Sequence, residues 1–457
     1  MIRQSARTFC SGRCATRGDK LMCKIVNVKD FGALGDGSLC TSSVNDAISS
    51  LAECGGTVFF PNGRYTVGTI FLESNITICL DKLAVIEGSI NIDDYHVEHT
   101  GCIEAPSFNG CLLIAEDKEN IKITGGKIRG NGGSFIEGER PMLTRFVRCK
   151  NIIIEDISLG GSASWCNHFV LCERVFINRV DIFNKVNGNN DGLDFDDCRN
   201  VFISNCTIET GDDSICLKSS SGGMCENIMI SNCSLSSRTS VFKTGTASKG
   251  GFRNITITNC VFHDCNLGCI KLICVDGGVL ENITISNIVM DRVGSPLFIR
   301  LGRRNLKFET PQEMVYDYDT KGIKNDDEPG IIRNVMISGI RANVTVLEKD
   351  KTPIMITGLK SRSIEKIQLA NISITFPGGG TEEDSKQDVP EDEFRYPEQC
   401  FFGVLPAYAF FARHVNQLSL NNIFIELQND DARKPYVFDD VINSKSAGCD
   451  FLQEGAI

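Results

Sequence analysis

The chain predicts an all-β fold, a right-handed parallel β-helix with an N-terminal capping helix, and three observations point to it. A strand-like segment recurs at near-constant spacing. Each copy alternates apolar and polar residues, and several cysteines (Cys206, Cys233 and Cys260) return in step with it. The clearest copies are NVFISNCTI from Asn200, NIMISNCSL from Asn227, NITITNCVF from Asn254 and NITISNIVM from Asn282, spaced by 27, 27 and 28 residues. Weaker copies begin at Asn120, Asn151, Arg174, Asn334 and Gln417. A period of this size marks a solenoid in which each repeat stacks on the one before it.

Taken in order, residues 1–21 read as an extension, disordered or a leader, with arginines at 3, 7, 13 and 17 and no long apolar stretch. Residues 22–457 read as a single β-helix domain. Within SSVNDAISSLAECGG, Ser42 or Ser43 can cap a helix whose Val44, Ala47, Ile48 and Leu51 share one face, with Gly55 and Gly56 ending it. Such a helix covers the open end of a solenoid, where an exposed core would otherwise invite stacking between molecules.

Each repeat is a short β-branched run with period-two alternation, hence a strand. In NITITNC the isoleucines face one side and the threonines the other, so stacked isoleucines fill the interior. Asn205, Asn232, Asn259 and Asn287 are expected to form an internal ladder whose amides satisfy backbone groups at the turns. Beyond residue 300 the period breaks into C-terminal insertions, one around 303–330 and an acidic, mobile run at 378–397. Loops of that kind border binding clefts.

With 47 basic and 58 acidic residues the net charge is −11. That disfavours nonspecific nucleic-acid binding through phosphate neutralisation, so no nucleic-acid partner is expected. No apolar run approaches the roughly 18 residues that span a bilayer, so no membrane partner is expected. The 22 cysteines lack close CxxC pairs, which points to buried free thiols and a cytoplasmic location.

Two acidic clusters lie nearly one repeat apart in NNDGLDFDDCRNVFISNCTIETGDDSICLKSS. Asp191 sits in a turn, Asp194 and Asp196 alternate with Leu193 and Phe195 and so project outward, and Asp212 and Asp213 open the next strand. Carboxylates crowded on one face cannot all ionise, which leaves a protonated acid beside an ionised base. Glycosidic hydrolysis needs that pair of states. Turn capping or calcium binding by the same acids stays open at this point.

The run NNDGLDFDDC with GDDSICLKS one coil later resembles the polygalacturonases, the pectin-degrading glycoside hydrolase family 28, whose pattern is Asn-x-Asp-Gly-x-Asp followed by Gly-Asp-Asp. VNVKDFGALGDG is similar to that family's opening, and SASWCNHFVLC to the stretch preceding its catalytic coil. The resemblance covers about residues 25–425. It implies an inverting hydrolysis in which Asp212 protonates the leaving oxygen while Asp191 and Asp213 activate water, with no metal and no organic cofactor.

Two departures stand out. Where the family carries Gly-His-Gly this chain reads SLSSRTSVFKTG, placing Arg238 near the histidine's position and Lys243 shortly after. Its Arg-Ile-Lys becomes Cys269-Ile270-Lys271, so one of two carboxylate-binding cations is lost. His168, Asn189, Asp194, Lys218, Arg238, Lys243 and Lys271 are therefore the candidate substrate-binding residues. The expected substrate is a uronic-acid-containing, pectin-derived oligosaccharide, attacked from one end. A calcium-dependent polysaccharide lyase on the same fold and a non-catalytic carbohydrate-binding β-helix are the alternatives. Oligomeric state is not legible.

Overall fold

A computed structural model describes residues 24–96, 110–136, 138–304, 328–346, 348 and 352–450. The extension at 1–21 and most of the insertion at 303–330 lie outside the described residues.

The strands stack into three parallel ladders that wind together as a β-helix. The first climbs from Ile25–Asn27 through Gly56–Phe60, Ile76–Leu80, Glu119–Thr124, Lys150–Gly160, Glu173–Asn184, Arg199–Ser204 and Cys225–Ser231. The second includes Asp36–Leu39, Arg64–Val67, Val85–Gly88, Lys127–Arg129, Thr207–Thr210 and Ser234–Ser237. The third runs through Cys111–Glu116, Met142–Val147, Asn167–Val170, Leu193–Asp196, Ile215–Ser219 and Ser240–Ser248. From Gly251–Cys274 onward, long strands turn the corners without a break and belong to more than one ladder.

Register follows the sequence period. Ile228, Ile255, Ile283, Val335, Ile367 and Leu418 stand one above another, all buried. Phe146, Phe169 and Phe195 stack inside the third ladder with ring centroids 5.1 and 4.8 Å apart. Cys206, Cys233 and Cys260 form a buried column of free thiols in the same core.

The asparagines behave differently from the sequence expectation. Asn205, Asn232, Asn259 and Asn287 are exposed, at φ of 55–57°, so their ladder is external and not internal. A second external ladder joins Asn200, Asn227, Asn254, Asn282 and Asn334 through side-chain amide bonds of 2.7–3.1 Å. Left-handed backbone at each corner is the primary constraint, because asparagine is the non-glycine residue that adopts it most readily.

The helix near the N-terminus spans Thr41–Ser49 and buries Val44, Ala47 and Ile48. Its N-cap is Cys40 and not a serine, and it stops well short of Gly55. Neither Ser42 nor Ser43 caps it, and the polar side chains of its first turns reach the next coil: Thr41 accepts from Gly68 N, and Asn45 bonds Thr69 O and Phe71 N.

Along the outer face of the third ladder, the column Arg145, His168, Asp194, Cys216, Lys243, Lys271 gives way to Phe298, Met355 and Phe411. The apolar part of that face seats residues 389–405, which overlap the acidic run 378–397 expected to be mobile. Val389, Phe402 and Leu405 pack on Ile273, Phe298, Met355 and Phe411. Buried Arg300 donates to the carbonyls of Glu391 and Asp392, both at 2.9 Å.

Candidate active site

Three successive corners between the second and third ladders, residues 185–192, 211–214 and 238–239, carry Asp191, Asp212 with Asp213, and Thr239. Backbone bonds fix their heights: Gly192 N donates to Asp213 O at 2.9 Å and Ser214 N to Ser240 O at 2.9 Å. Asn184 donates to Asp191 O at 3.0 Å and to Ser164 O at 3.1 Å, and the Asn190 amide anchors the same turn through Ser162 O and Ser164 O. Around the Asp212 carbonyl, Thr210 and Ser237 both donate. The turn is thus held by a shell of small polar side chains that leaves the carboxylates little freedom.

One carboxyl oxygen from each of Asp191, Asp212 and Asp213 lies within 4.8 Å of the others. The Thr239 hydroxyl lies 2.8 Å from Asp212 Oδ1 and 3.0 Å from Asp213 Oδ1, and Lys243 Nζ donates to Asp213 Oδ2 at 2.9 Å. These groups wall a cavity of about 270 Å³ that Trp165, Tyr396, Phe401 and Glu398 complete. That volume sits at the small end of ligand pockets, on the order of 300–1,000 Å³.

The electrostatics separate the acids. Burial, then the neighbouring carboxylates, pushes Asp191 well above the usual range, and burial with Asp213 raises Asp212. Burial works against the Asp213 charge as well, but Lys243, Lys271 and Lys218 overcome it and hold Asp213 down to about 2. One ionised carboxylate therefore stands among two that retain protons more readily, which is the arrangement general acid and base work requires.

Of the residues the sequence singled out, Asn189, Asp191, Asp212, Asp213, Lys218 and Lys243 line the cavity. Asn189 is oriented by Arg140, which bonds its side chain at 3.0 Å. Lys218 lies 4.6 Å from the Trp165 ring centroid and 3.7 Å from Asp194.

Asp194, His168, Arg238 and Lys271 do not line it. Asp194 points away from the core as alternation requires, but it is completely buried. Neither of its oxygens has a hydrogen-bond partner, and burial lifts it to about 7 despite Lys218. His168 is sealed beneath Trp165, its ring 5.0 Å from the indole, and burial followed by Arg145 and Lys218 keeps it neutral. A direct sugar contact by His168 is thereby corrected. Arg238 is exposed outside the cavity, and Lys271 is 1% exposed and paired with Glu398.

Sequence reading missed Thr239, Tyr396, Glu398 and Phe401. Thr239 was findable, standing 27 residues after Asp212 and so one period on. The other three come from the aperiodic segment beyond residue 378.

The protein is thus a parallel β-helix with an acid-lined cavity on its outer face, and comparison with known proteins says to which family it belongs. The family model described as glycosyl hydrolases family 28 matches residues 58–393. The chain belongs to that family.

A probable polygalacturonase of Vitis vinifera is 31% identical over 212 residues, covering 42% of this chain and 43% of the relative. An exo-poly-alpha-D-galacturonosidase of Dickeya chrysanthemi is 26% identical over 263 residues, covering 44% and 42%. The chain thus spans less than half the length of these curated relatives. Among solved structures, the exopolygalacturonase of Thermotoga maritima superposes with TM-score 0.65 at 23% identity over 90% of this chain and 93% of that one. The family 28 exopolygalacturonase of Yersinia enterocolitica gives 0.69 at 19% identity, over 93% and 78%. At these identities the structural matches speak for the fold.

Proposed function

We propose that the protein is a glycoside hydrolase that cleaves α-glycosidic bonds in galacturonic-acid-containing oligosaccharides, working from a chain end. The observation that carries this reading is the convergence of Asp191, Asp212 and Asp213 on one cavity, with Lys243 bonded to Asp213. Asp212, raised in pKa and facing the cavity, protonates the leaving oxygen. Asp213, held ionised by its lysines, takes a proton from the attacking water, which Asp191 helps to position.

Lys243 occupies the part that a family histidine leaves vacant here, keeping a cation against the catalytic base. The carboxyl oxygens lie closer than the roughly 6.5–9.5 Å common for inverting pairs, so the water that Asp213 deprotonates sits near the acid while still meeting the anomeric carbon from the face opposite the leaving oxygen. Exo-action is supported by the small cavity and by the 389–402 segment that walls one side of it.

The acid trio could also hold a cation, which favours the lyase reading. Lys243 at 2.9 Å and Lys218 on the same wall oppose a divalent ion there. Incubating wild type and Asp212→Asn with oligogalacturonides and rhamnogalacturonan fragments, with and without chelator, separates the two. Hydrolysis predicts new reducing ends without ultraviolet absorbance, insensitive to chelator and lowered about 10²–10⁴-fold in the variant. Chelator-sensitive absorbance would make the protein a lyase, and no product in either channel would leave a binding protein.

A reducing, cytoplasmic location is proposed from the buried free thiols. Cell fractionation that finds the protein outside the cell would refute it. The helix Thr41–Ser49 is proposed to cover the first coil, on the strength of the residues it buries.

A further inference from the structure

Glu398 belongs to neither acidic motif, yet it lines the cavity together with Asp191, Asp212 and Asp213. It is 2.5 Å from Lys271 Nζ, and the two side chains are 14% and 1% exposed. The partner lysine stands beside Lys243 in the same outward column of the third ladder. Glu398 arrives there because the 389–405 segment is seated on the apolar part of that column and because Gln399, next in sequence, is buried and donates to Pro353 O at 2.8 Å. The contact is therefore built into the fold.

Each of the three lysines at the cavity already faces a carboxyl group of the protein. Lys243 faces Asp213 at 2.9 Å, Lys218 faces Asp194 at 3.7 Å and Lys271 faces Glu398 at 2.5 Å. A sugar carboxylate entering here has to separate Lys271 from Glu398 or add its charge to a wall that already carries four carboxyl groups. Either route disfavours it. A neutral ring meets no such opposition, and Trp165, Tyr396 and Phe401 contribute apolar lining.

We infer that Glu398 is a specificity-determining residue that occupies the place of a substrate carboxylate on Lys271, so that the sugar held in the cavity is a neutral hexose or deoxyhexose and not a uronate. The inference rests on the hydrolase reading and refines it: the bond cleaved joins a neutral terminal sugar to the uronic-acid-containing remainder.

The test uses D-galactose and D-galacturonic acid, which differ only at C6, in ligand-observed NMR titrations of wild type, Glu398→Gln, Lys271→Met and the double variant. Glu398→Gln is expected to bind galacturonate at least about tenfold more tightly than wild type, a gain that the double variant loses because the receiving cation is gone. Lys271→Met alone should bring no gain in galacturonate binding, because it leaves Glu398 in place and removes the cation. The inference is overturned if wild type prefers galacturonate to galactose, if Glu398→Gln brings no gain, or if the double variant keeps the gain of Glu398→Gln. Binding needs no turnover, so absent hydrolysis with this binding pattern intact would count against the hydrolase reading alone.

Discussion

Asp213 and Lys243 carry the clearest consequence at the residue scale. Asp213 must be ionised to act as base, and its folded pKa of about 2 leaves it so at every ordinary pH. Replacing Lys243 with Met removes the strongest attraction opposing burial, so the acid limb of kcat/KM should move to higher pH. An unmoved limb would show that another group sets it. Thr239 acts in the same sense on Asp212, since its hydrogen bond lowers that pKa against burial. Thr239→Val should therefore extend activity to higher pH, because the acid keeps its proton longer; a limb that moves down would contradict the assignment. The aspartates were legible in the sequence because two motifs fall nearly one coil apart. His168 and Lys271 were misplaced because burial depends on neighbours that the motif does not contain.

Strands and corners were legible for a simpler reason: period-two alternation repeated at 27–28 residues admits one stacking register. The asparagine corners were read for their amides, whereas the backbone decides them. Asn254 at φ 57° is a direct test. Asn254→Ala should cost about 1–2 kcal/mol in urea unfolding through the left-handed backbone, and Asn254→Gly clearly less. Equal losses would show that the amide ladder contributes more than the backbone does. The helix Thr41–Ser49 was found in sequence, but its start was not, because Thr41 and Asn45 bond across to the next coil in place of local capping.

Across the whole molecule, the third ladder's outer face is polar where the cavity lies and apolar where the 389–405 segment rests. Strands such as PLFIR from Pro296 and PIMIT from Pro353 are apolar on both faces, a pattern of strands covered on both sides. That was the available signal for a covering segment, and which segment supplies the cover has no periodic signature. Arg300 ties the cover down through two carbonyls. Arg300→Leu should loosen residues 389–402 in hydrogen exchange and raise KM about tenfold with a smaller change in kcat, because Tyr396 and Glu398 lose their placement while the aspartates do not. A fall in kcat with KM unchanged would mean that the segment takes part in the chemistry itself.

The most direct test of the hydrolytic centre is a proton NMR time course on a galacturonic-acid-containing oligosaccharide with an α-linked terminal sugar. Inverting hydrolysis from the chain end predicts release of that single terminal residue, appearing first as the β anomer, since water replaces an α-linked leaving group from the opposite side. Release of the α anomer first, or of an unsaturated product, would contradict it.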